Sequence, residues 1–295
     1  MDIISTRQVA ELLAVSEATV KRWADAGTLR CFRTPGGHRK FRMEDVADFL
    51  RSYQYDTAGP ISVEPTEGNA GTSATLPDAG DASAAPSIDP ETVVQFRNAA
   101  LSADVDSLVS QIAQNRLRGL TLAAIFDHIA TAALADIGER WARGVLTVSQ
   151  EHIAAAAVIE ALARTRPLIE RSGREKGKVL LACPGEEQHD IAMRMGSLLA
   201  HGLGFNPMLI GARAPVADLS LLITGERPRY VVISASAAAD PRVVAQDVAA
   251  IAEASRAAGS KLLAGGDGVV TLGEAPAGVR VVHSMSDLLE ALQGR

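Results

Sequence analysis

A histidine set among carboxylates is the residue of this sequence best suited to chemistry. The stretch EEQHDIAMRM begins at Glu186 and places His189 two residues after Glu187. Imidazole serves as a surface donor, a general base or a metal ligand, and a carboxylate bonded to one ring nitrogen leaves the other nitrogen free for a metal. An isolated histidine is most often a surface residue, so its assignment depends on the elements that position it.

The region from residue 177 to residue 295 predicts a doubly wound α/β domain. Five β-rich runs alternate with helical segments: KVLLACP, NPMLIG, RYVVISA, KLLAGG and VRVVHS. Buried parallel strands joined by crossover helices give this pattern. Ligands of such sheets bind at the carboxyl ends of the strands. His189 follows the first run, so we expect it at the ligand edge of a five-stranded sheet.

Small residues end two further strands of this predicted sheet. Ser234 and Ser236 end the third β-rich run, and Gly265 and Gly266 end the fourth. Residues of this size at the ligand edge predict a long slot beside the sheet. A nucleotide-like tail of a ligand would fit such a slot.

Residues 91 to 172 predict a four-helix bundle, because apolar residues recur at 3.6-residue spacing. Nine residues separate Trp141 from the pair Glu151 and His152. This spacing places the tryptophan of one helix across from the first turns of the next. Each feature alone is typical of a bundle-core aromatic or of an acid favoured at a helix N-terminus.

The first 53 residues predict a winged helix-turn-helix. Two short helices are joined by a tight turn, and TPGGHRKF forms a hairpin wing whose glycines allow positive φ. Seven basic residues and one acid lie between Lys21 and Arg42, which is a basic patch suited to phosphate neutralisation. The predicted DNA contacts are Thr19, Lys21, Arg22, His38, Arg39 and Lys40.

Residues 54 to 90 predict a disordered linker. They are rich in Pro, Gly, Ser, Thr and Ala and contain no Lys or Arg, so they cannot bury enough apolar surface to offset their ordering entropy. Such a linker uncouples the orientation of the parts that it joins while keeping them at high effective concentration. The predicted organisation is therefore a head (1–53), a linker (54–90), a bundle (91–172) and a sheet domain (177–295).

Composition excludes several classes of protein. A net charge of −6 over 295 residues argues against a protein that coats nucleic acid along its whole length. Cys31 and Cys183 are far apart and lack CxxC spacing, which supports neither a disulfide framework nor a zinc finger. There is no signal-peptide pattern, and no apolar run approaches the roughly 20 residues of a membrane span. We expect a cytoplasmic protein with no membrane partner.

Two motifs resemble known families. The TPGGHRKF wing resembles that of MerR-family regulators, and the order Glu-x-His, Ser-x-Ser, Gly-Gly resembles base-off/His-on cobalamin-binding domains. The second resemblance implies that His189 is the lower axial cobalt ligand and that Glu187 orients it. It also implies that the serines and glycines named above line the pocket of the dimethylbenzimidazole tail. Ala192 stands where the motif has its final glycine, and its methyl group would crowd the tail.

The Trp-x9-Glu-His spacing resembles the signature of CarH-type photoreceptors, in which these residues cover the upper face of adenosylcobalamin. The resemblance implies that role for Trp141, Glu151 and His152. In that family a histidine commonly follows the tryptophan and takes the vacated cobalt position after light breaks the cobalt–carbon bond. Ala142 stands there in this sequence, so His152 or His128 would substitute, or no protein ligand captures the photoproduct.

These resemblances imply a light-responsive transcriptional repressor and not an enzyme. Adenosylcobalamin would favour a homo-oligomer, a dimer or a tetramer, whose heads bind operator double-stranded DNA together, and light would dissolve it. Two alternatives stay open. One is a MerR-type regulator whose C-terminal module senses another ligand or a partner without cobalamin. The other is a corrinoid enzyme subunit, which the DNA-binding head disfavours.

Overall fold

The computed structural model of this chain describes residues 3–13, 15–34, 36–46, 48–49, 88–273 and 276–294. It contains the predicted winged helix-turn-helix, four-helix bundle and five-stranded doubly wound sheet. The predicted disordered linker falls largely on residues 54 to 87, which lie outside the described residues. Among the helices described, none has the length and apolar character needed to cross a membrane.

The head combines two helices with a small antiparallel sheet. Its elements are β1 (Ile3–Ser5), α1 (Thr6–Leu13), α2 (Glu17–Asp25), β2 (Phe32–Arg33) and β3 (Arg39–Arg42). Ser16 starts α2 because its hydroxyl accepts a hydrogen bond from the Thr19 backbone N–H at 3.1 Å. β3 pairs with both β1 and β2. Val9, Val20 and Phe41 are fully buried in the head's core, which holds the helices and the wing as one unit.

The bundle consists of four rods. Its elements are α3 (Pro90–Leu101), α4 (Val105–Leu117), α5 (Leu122–Ile125), a π-helical turn (Phe126–Ala130), α6 (Thr131–Ala142) and α7 (Val148–Thr165). The π turn joins α5 directly to α6, so these three elements form one rod. Side chains that accept backbone N–H bonds start the rods and fix where each begins. These caps are Asp89, Asp104, Thr121 and Thr147.

The sheet domain alternates strands and helices as predicted. Its strands are β4 (Lys178–Pro184), β5 (Asn206–Ala214), β6 (Tyr230–Ser234), β7 (Lys261–Gly265) and β8 (Val279–Val282). Its helices are α8 (Ile191–Gly202), α9 (Val216–Glu226), α10 (Pro241–Ala258), α11 (Asp267–Val270) and α12 (Met285–Gln293). The strands are parallel in the order β5-β4-β6-β7-β8. The order reverses between β4 and β6, so the carboxyl ends of these two strands flank the topological switch point.

The bundle packs directly on the sheet domain. Leu198 and Leu199 of α8 are at most 4% exposed and belong to the bundle's core. Asp127, on the π turn, accepts hydrogen bonds from the backbone N–H groups of Met285, at 2.7 Å, and Ser286, at 3.0 Å. These are the first two amides of α12, which have no partner within their own helix. The bundle therefore adds a second acceptor at the start of the last helix, beside its own cap Ser284, whose hydroxyl accepts from the Asp287 backbone N–H.

The head rests on the bundle through α1 and α4. The Ser110 hydroxyl of α4 donates to the carbonyl oxygen of Leu12 at 3.2 Å. Leu12 packs against the bundle's core, and Leu168, which follows α7, packs against the head's core. The linker composition alone predicts an independently oriented head, whereas in this structure the head packs against the bundle.

Candidate functional site

His189 and Glu187 form a hydrogen-bonded pair in the loop after β4. Glu187 Oε1 lies 2.5 Å from His189 Nδ1 and accepts from the His189 backbone N–H at 2.9 Å. The Glu187 side chain is 4% exposed, whereas the His189 side chain is 73% exposed. Within the described part of the chain, His189 Nε2 has no hydrogen-bond partner. The pair thus holds an imidazole by one nitrogen and presents the other to solvent.

The second oxygen of Glu187 ties this loop to β6. Oε2 accepts from the backbone N–H of Ser236 at 2.6 Å. Burial alone would raise the pKa of the Glu187 carboxyl, but hydrogen bonds from the Ser236 hydroxyl and backbone and from His189 outweigh burial and lower the pKa to about 2. Glu187 is therefore ionised at neutral pH. An ionised acceptor at Nδ1 places the imidazole proton there and leaves the lone pair on Nε2, which is the form that binds a metal.

Neighbouring residues hold the loop in place, and the described residues contain no cluster of three or more metal-binding side chains. Asp190 accepts two hydrogen bonds from Arg194, at 3.0 and 2.7 Å, across the first turn of α8. Burial, with smaller effects of Glu187 and Asp190, raises the pKa of the Cys183 thiol to about 12. This thiol stays protonated at neutral pH and does not provide a thiolate ligand.

The predicted serines line a cavity of about 520 Å³ at the carboxyl edge of the sheet. Ser234, Ser236, Glu187 and His189 all lie on its wall, and α10 closes its other side. The structure thus brings together four of the predicted residues from two neighbouring strands. Their meeting point is the switch point between β4 and β6.

The two predicted glycines lie where another segment of backbone approaches closely. A Cβ on Gly265 would lie 2.9 Å from the carbonyl oxygen of Val282, and one on Gly266 would lie 2.3 Å from that of Ala235. Both distances are shorter than real side chains tolerate, so these positions require glycine. Neither glycine is among the residues that line the cavity of Ser234 and Ser236.

Ala192 lies in the first turn of α8. It is half-buried and packs against the core between the sheet and helices α8 and α12. That core takes Leu181 and Cys183 from β4, whereas Leu180 and Ala182 face the opposite core. The Ala192 methyl group therefore occupies space on the face of the sheet opposite α10.

The end of the bundle presents a second group of predicted residues. Trp141, in the last turn of α6, is 48% exposed, and His152, in the first turns of α7, has a side chain that is 74% exposed. His152 Nδ1 lies 2.5 Å from Glu151 Oε2. Val145 and Val148, which the sequence reasoning missed, are 62% and 52% exposed beside them. An exposed apolar surface with a carboxylate–imidazole pair at its rim is suited to a large, partly polar ligand.

The remaining histidine candidate, His128, lies on the π turn at the other end of the rod from Trp141. Ala142 is exposed beside Trp141, and His128 is exposed on the π turn. Within the described residues, no hydrogen bond or ion pair joins His128 or His152 to the His189 loop.

The head carries a basic cleft of about 530 Å³ between α2 and the wing. Of the predicted DNA contacts, Lys21, His38, Arg39 and Lys40 line it. Arg22 is exposed on α2 outside this lining, and Thr19 is half-buried, with its hydroxyl 3.0 Å from that of Ser16. A cleft of this charge and position is suited to the DNA backbone.

Two observations refine the prediction for the head. Arg39 forms an ion pair with Asp25 and its side chain is only 15% exposed, so it joins the wing to the end of α2. Arg7 and Arg33 line the cleft and were not among the predicted contacts. Arg33 belongs to the basic run of the sequence and could have been found there, whereas Arg7 comes from α1 and needed the fold.

Comparison with known proteins identifies the family. The HTH-type transcriptional repressor CarH of Myxococcus xanthus is 31% identical to this chain over 239 residues, which cover 76% of each protein. This chain belongs to the CarH family. This match confirms the family resemblance, which was drawn from the wing, the Glu-x-His motif and the Trp-x9-Glu-His spacing.

Further comparisons agree with this CarH-family assignment. The family described as helix-turn-helix domain matches residues 3–54, and the B12 binding domain matches residues 92–165, which is the bundle. The transcriptional repressor DcmR of Methylorubrum extorquens is 42% identical over 60 residues, 20% of this chain and 22% of that protein. The Methanosarcina barkeri monomethylamine corrinoid protein shares the fold, with a TM-score of 0.53 and 15% identity over 70% of this chain and 99% of that one.

The CarH-family member described here is therefore a transcriptional regulator with a DNA-binding head and a cobalamin-binding module. Its named relatives are repressors and not enzymes, as the sequence predicted. The corrinoid protein bears on the fold of the bundle and sheet domain alone.

Proposed function

We propose that this CarH-family protein is a light-responsive repressor that binds adenosylcobalamin and couples its photolysis to assembly on operator DNA. The observation that carries the proposal is the Glu187–His189 pair at the switch point, with Nε2 open to solvent. A DNA-binding regulator acts where the chromosome is, so we place it in the cytoplasm.

The residues present fit a cobalt-containing ligand. His189 would bind cobalt through Nε2, and Glu187 would hold the ring and its proton. Trp141, Glu151 and His152 would cover the opposite face of the ligand. Ser234 and Ser236 would contact the tail, with Gly265 and Gly266 setting the backbone beside it. Bound there, adenosylcobalamin supplies a cobalt–carbon bond that light cleaves.

Assembly would convert weak DNA binding into strong binding. One small head contacts few phosphates, and several heads held together bind a repeated operator as one multivalent ligand. Loss of the assembly would then release the DNA. The dimer or tetramer that this requires is part of the proposal.

Reconstitution in the dark tests the proposal. The full chain should retain adenosylcobalamin through gel filtration, as followed by its absorption spectrum, and His189→Ala should abolish retention. Illumination should then shift the elution volume to that of a smaller species. A chain that retains no cobalamin would refute the proposal, and an elution volume that light leaves unchanged would refute its light-controlled assembly.

A second candidate function rests on Ala192. Its methyl group fills core space beside α12, and a tail inserted on that face would have to displace it. A regulator that senses another ligand or a partner protein through the same module would need no such space. Retention of cobalamin in the dark separates the two candidates, and Ala192→Gly should raise cobalamin affinity only if the tail enters on that face.

A further inference from the structure

Leu168 lies between the head and the bundle, on the wall of a cavity that α8 of the sheet domain also lines. It ends the 3-10 turn Arg166–Leu168 that follows α7, and it packs against the cores of both head and bundle. Leu12 of α1 packs in turn against the bundle's core, and its carbonyl oxygen accepts from the Ser110 hydroxyl at 3.2 Å. We call Leu168 and Ser110 the seat of the head.

The segment that follows the seat, residues 169 to 177, is bound to the far end of α8. Ser172 N donates to Gly202 O at 2.9 Å, and Lys176 N donates to Gly204 O at 3.1 Å. A Cβ on Gly204 would lie 2.4 Å from Ser172 O, so the two backbones are in close contact. This segment, the connector, therefore moves with the end of α8.

The other end of α8 begins at the candidate ligand loop. α8 starts two residues after His189, and its Leu198 and Leu199 are buried in the bundle's core. A cavity of about 270 Å³ lies between these leucines and Leu168. The backbone hydrogen bonds of the connector carry a displacement of α8 toward Leu168, and the cavity gives Leu168 room to shift. A movement of α8 against the bundle would thus reach the seat.

We propose that the connector transmits the position of α8 to the seat, so that ligand binding at His189 loosens the head from the bundle. This inference rests on the proposed function, because cobalamin is the ligand that would enter between the bundle end and the sheet edge. A ligand that separates these surfaces displaces α8, and the connector then draws Leu168 away from Leu12. The recognition helix and the wing gain freedom to reach neighbouring DNA sites.

Hydroxyl-radical footprinting of the full chain tests the coupling. Without cofactor, Leu12 and Leu168 should be oxidised much more slowly than Leu221, which is 73% exposed. Dark addition of adenosylcobalamin should raise the oxidation of Leu12 severalfold. Ser110→Arg crowds the Leu12 carbonyl and leaves the cores intact, so Leu12 should be oxidised rapidly with or without cofactor. Ala135→Arg, on an exposed position of α6, should behave like the wild type.

Absorption spectra of the same samples separate this inference from the proposed function. A chain that retains no cobalamin overturns both, whereas retained cobalamin with an unchanged rate of Leu12 oxidation overturns the coupling alone. Rapid oxidation of Leu12 in the wild type without cofactor would show that there is no seat. Protection of Leu12 that grows with protein concentration would place the head on a second copy, which also overturns the intrachain coupling.

Discussion

A carboxylate buried beneath an exposed imidazole sets the chemistry of the candidate site. Glu187→Gln removes the charge that holds the proton on His189 Nδ1, so cobalamin affinity should fall by about 10-fold to 100-fold. Titration of the apo chain with aquocobalamin, followed by absorption, measures the loss. Glu253→Gln is the matched control, because Glu253 is exposed on α10 and does not line the cavity. Equal affinities for the two variants would contradict the positioning role of Glu187.

The same carboxylate should make stability depend on pH. The pKa of Glu187 is about 2 in the folded chain, below its ordinary value of 4.5, so folding favours the ionised form. This stabilisation is fully present above pH 4.5 and is lost as the pH falls toward 2. Glu187→Gln should therefore lower the free energy of unfolding at neutral pH and lower it progressively less through that window. Urea unfolding of both chains at several pH values measures the difference, and a constant difference would contradict the assignment.

At the scale of elements, Asp127 joins the bundle to the sheet domain. Asp127→Ala removes the acceptor of the Met285 and Ser286 amides and of the Ser286 hydroxyl, so the free energy of unfolding should fall by about 1 to 3 kcal/mol. Thermal unfolding and faster amide exchange at the start of α12 measure this effect. Asp106→Ala is the control, because Asp106 is 92% exposed and pairs only across the surface with Arg164. A comparable loss in both variants would exclude an interdomain cap.

Local sequence patterns predicted the helices and strands well, but they did not predict contacts between residues that are far apart in the sequence. The run KVLLACP coincides with β4 (Lys178–Pro184), because a short apolar run between turn signals is a local property. The partners of Asp127 lie 158 and 159 residues away, and no sequence pattern marks them. Gly265 shows the limit most clearly: the sequence gives its small size, and only the fold shows that Val282 O approaches it.

At the scale of the whole molecule, the arrangement of the parts was the least predictable feature. Composition indicated a flexible linker, and the motifs placed DNA contacts and ligand contacts at opposite ends of the chain. The seat depends on Leu12 and Leu168, which are ordinary aliphatic residues in the sequence and acquire their role only when the cores of the head and the bundle meet. The head and the ligand loop are thereby connected through packed elements, although more than 130 residues of the sequence separate them.

The chain as a whole is acidic, with a net charge of −6, so its favourable contacts with DNA phosphates come from the basic heads. The salt dependence of DNA binding therefore measures how many heads bind. Each phosphate contact contributes about −0.9 to the slope of log affinity against log salt concentration, and the cleft offers Lys21, Arg33 and Lys40. The dark, assembled form should show at least twice the slope of the illuminated form, because at least two clefts engage together. Lys40→Ala should reduce the slope by about 1 per engaged head, and Arg256→Ala, at an exposed position of α10, should leave it unchanged. Equal slopes in the dark and in the light would mean that a single head binds in both states, which would contradict multivalent repression.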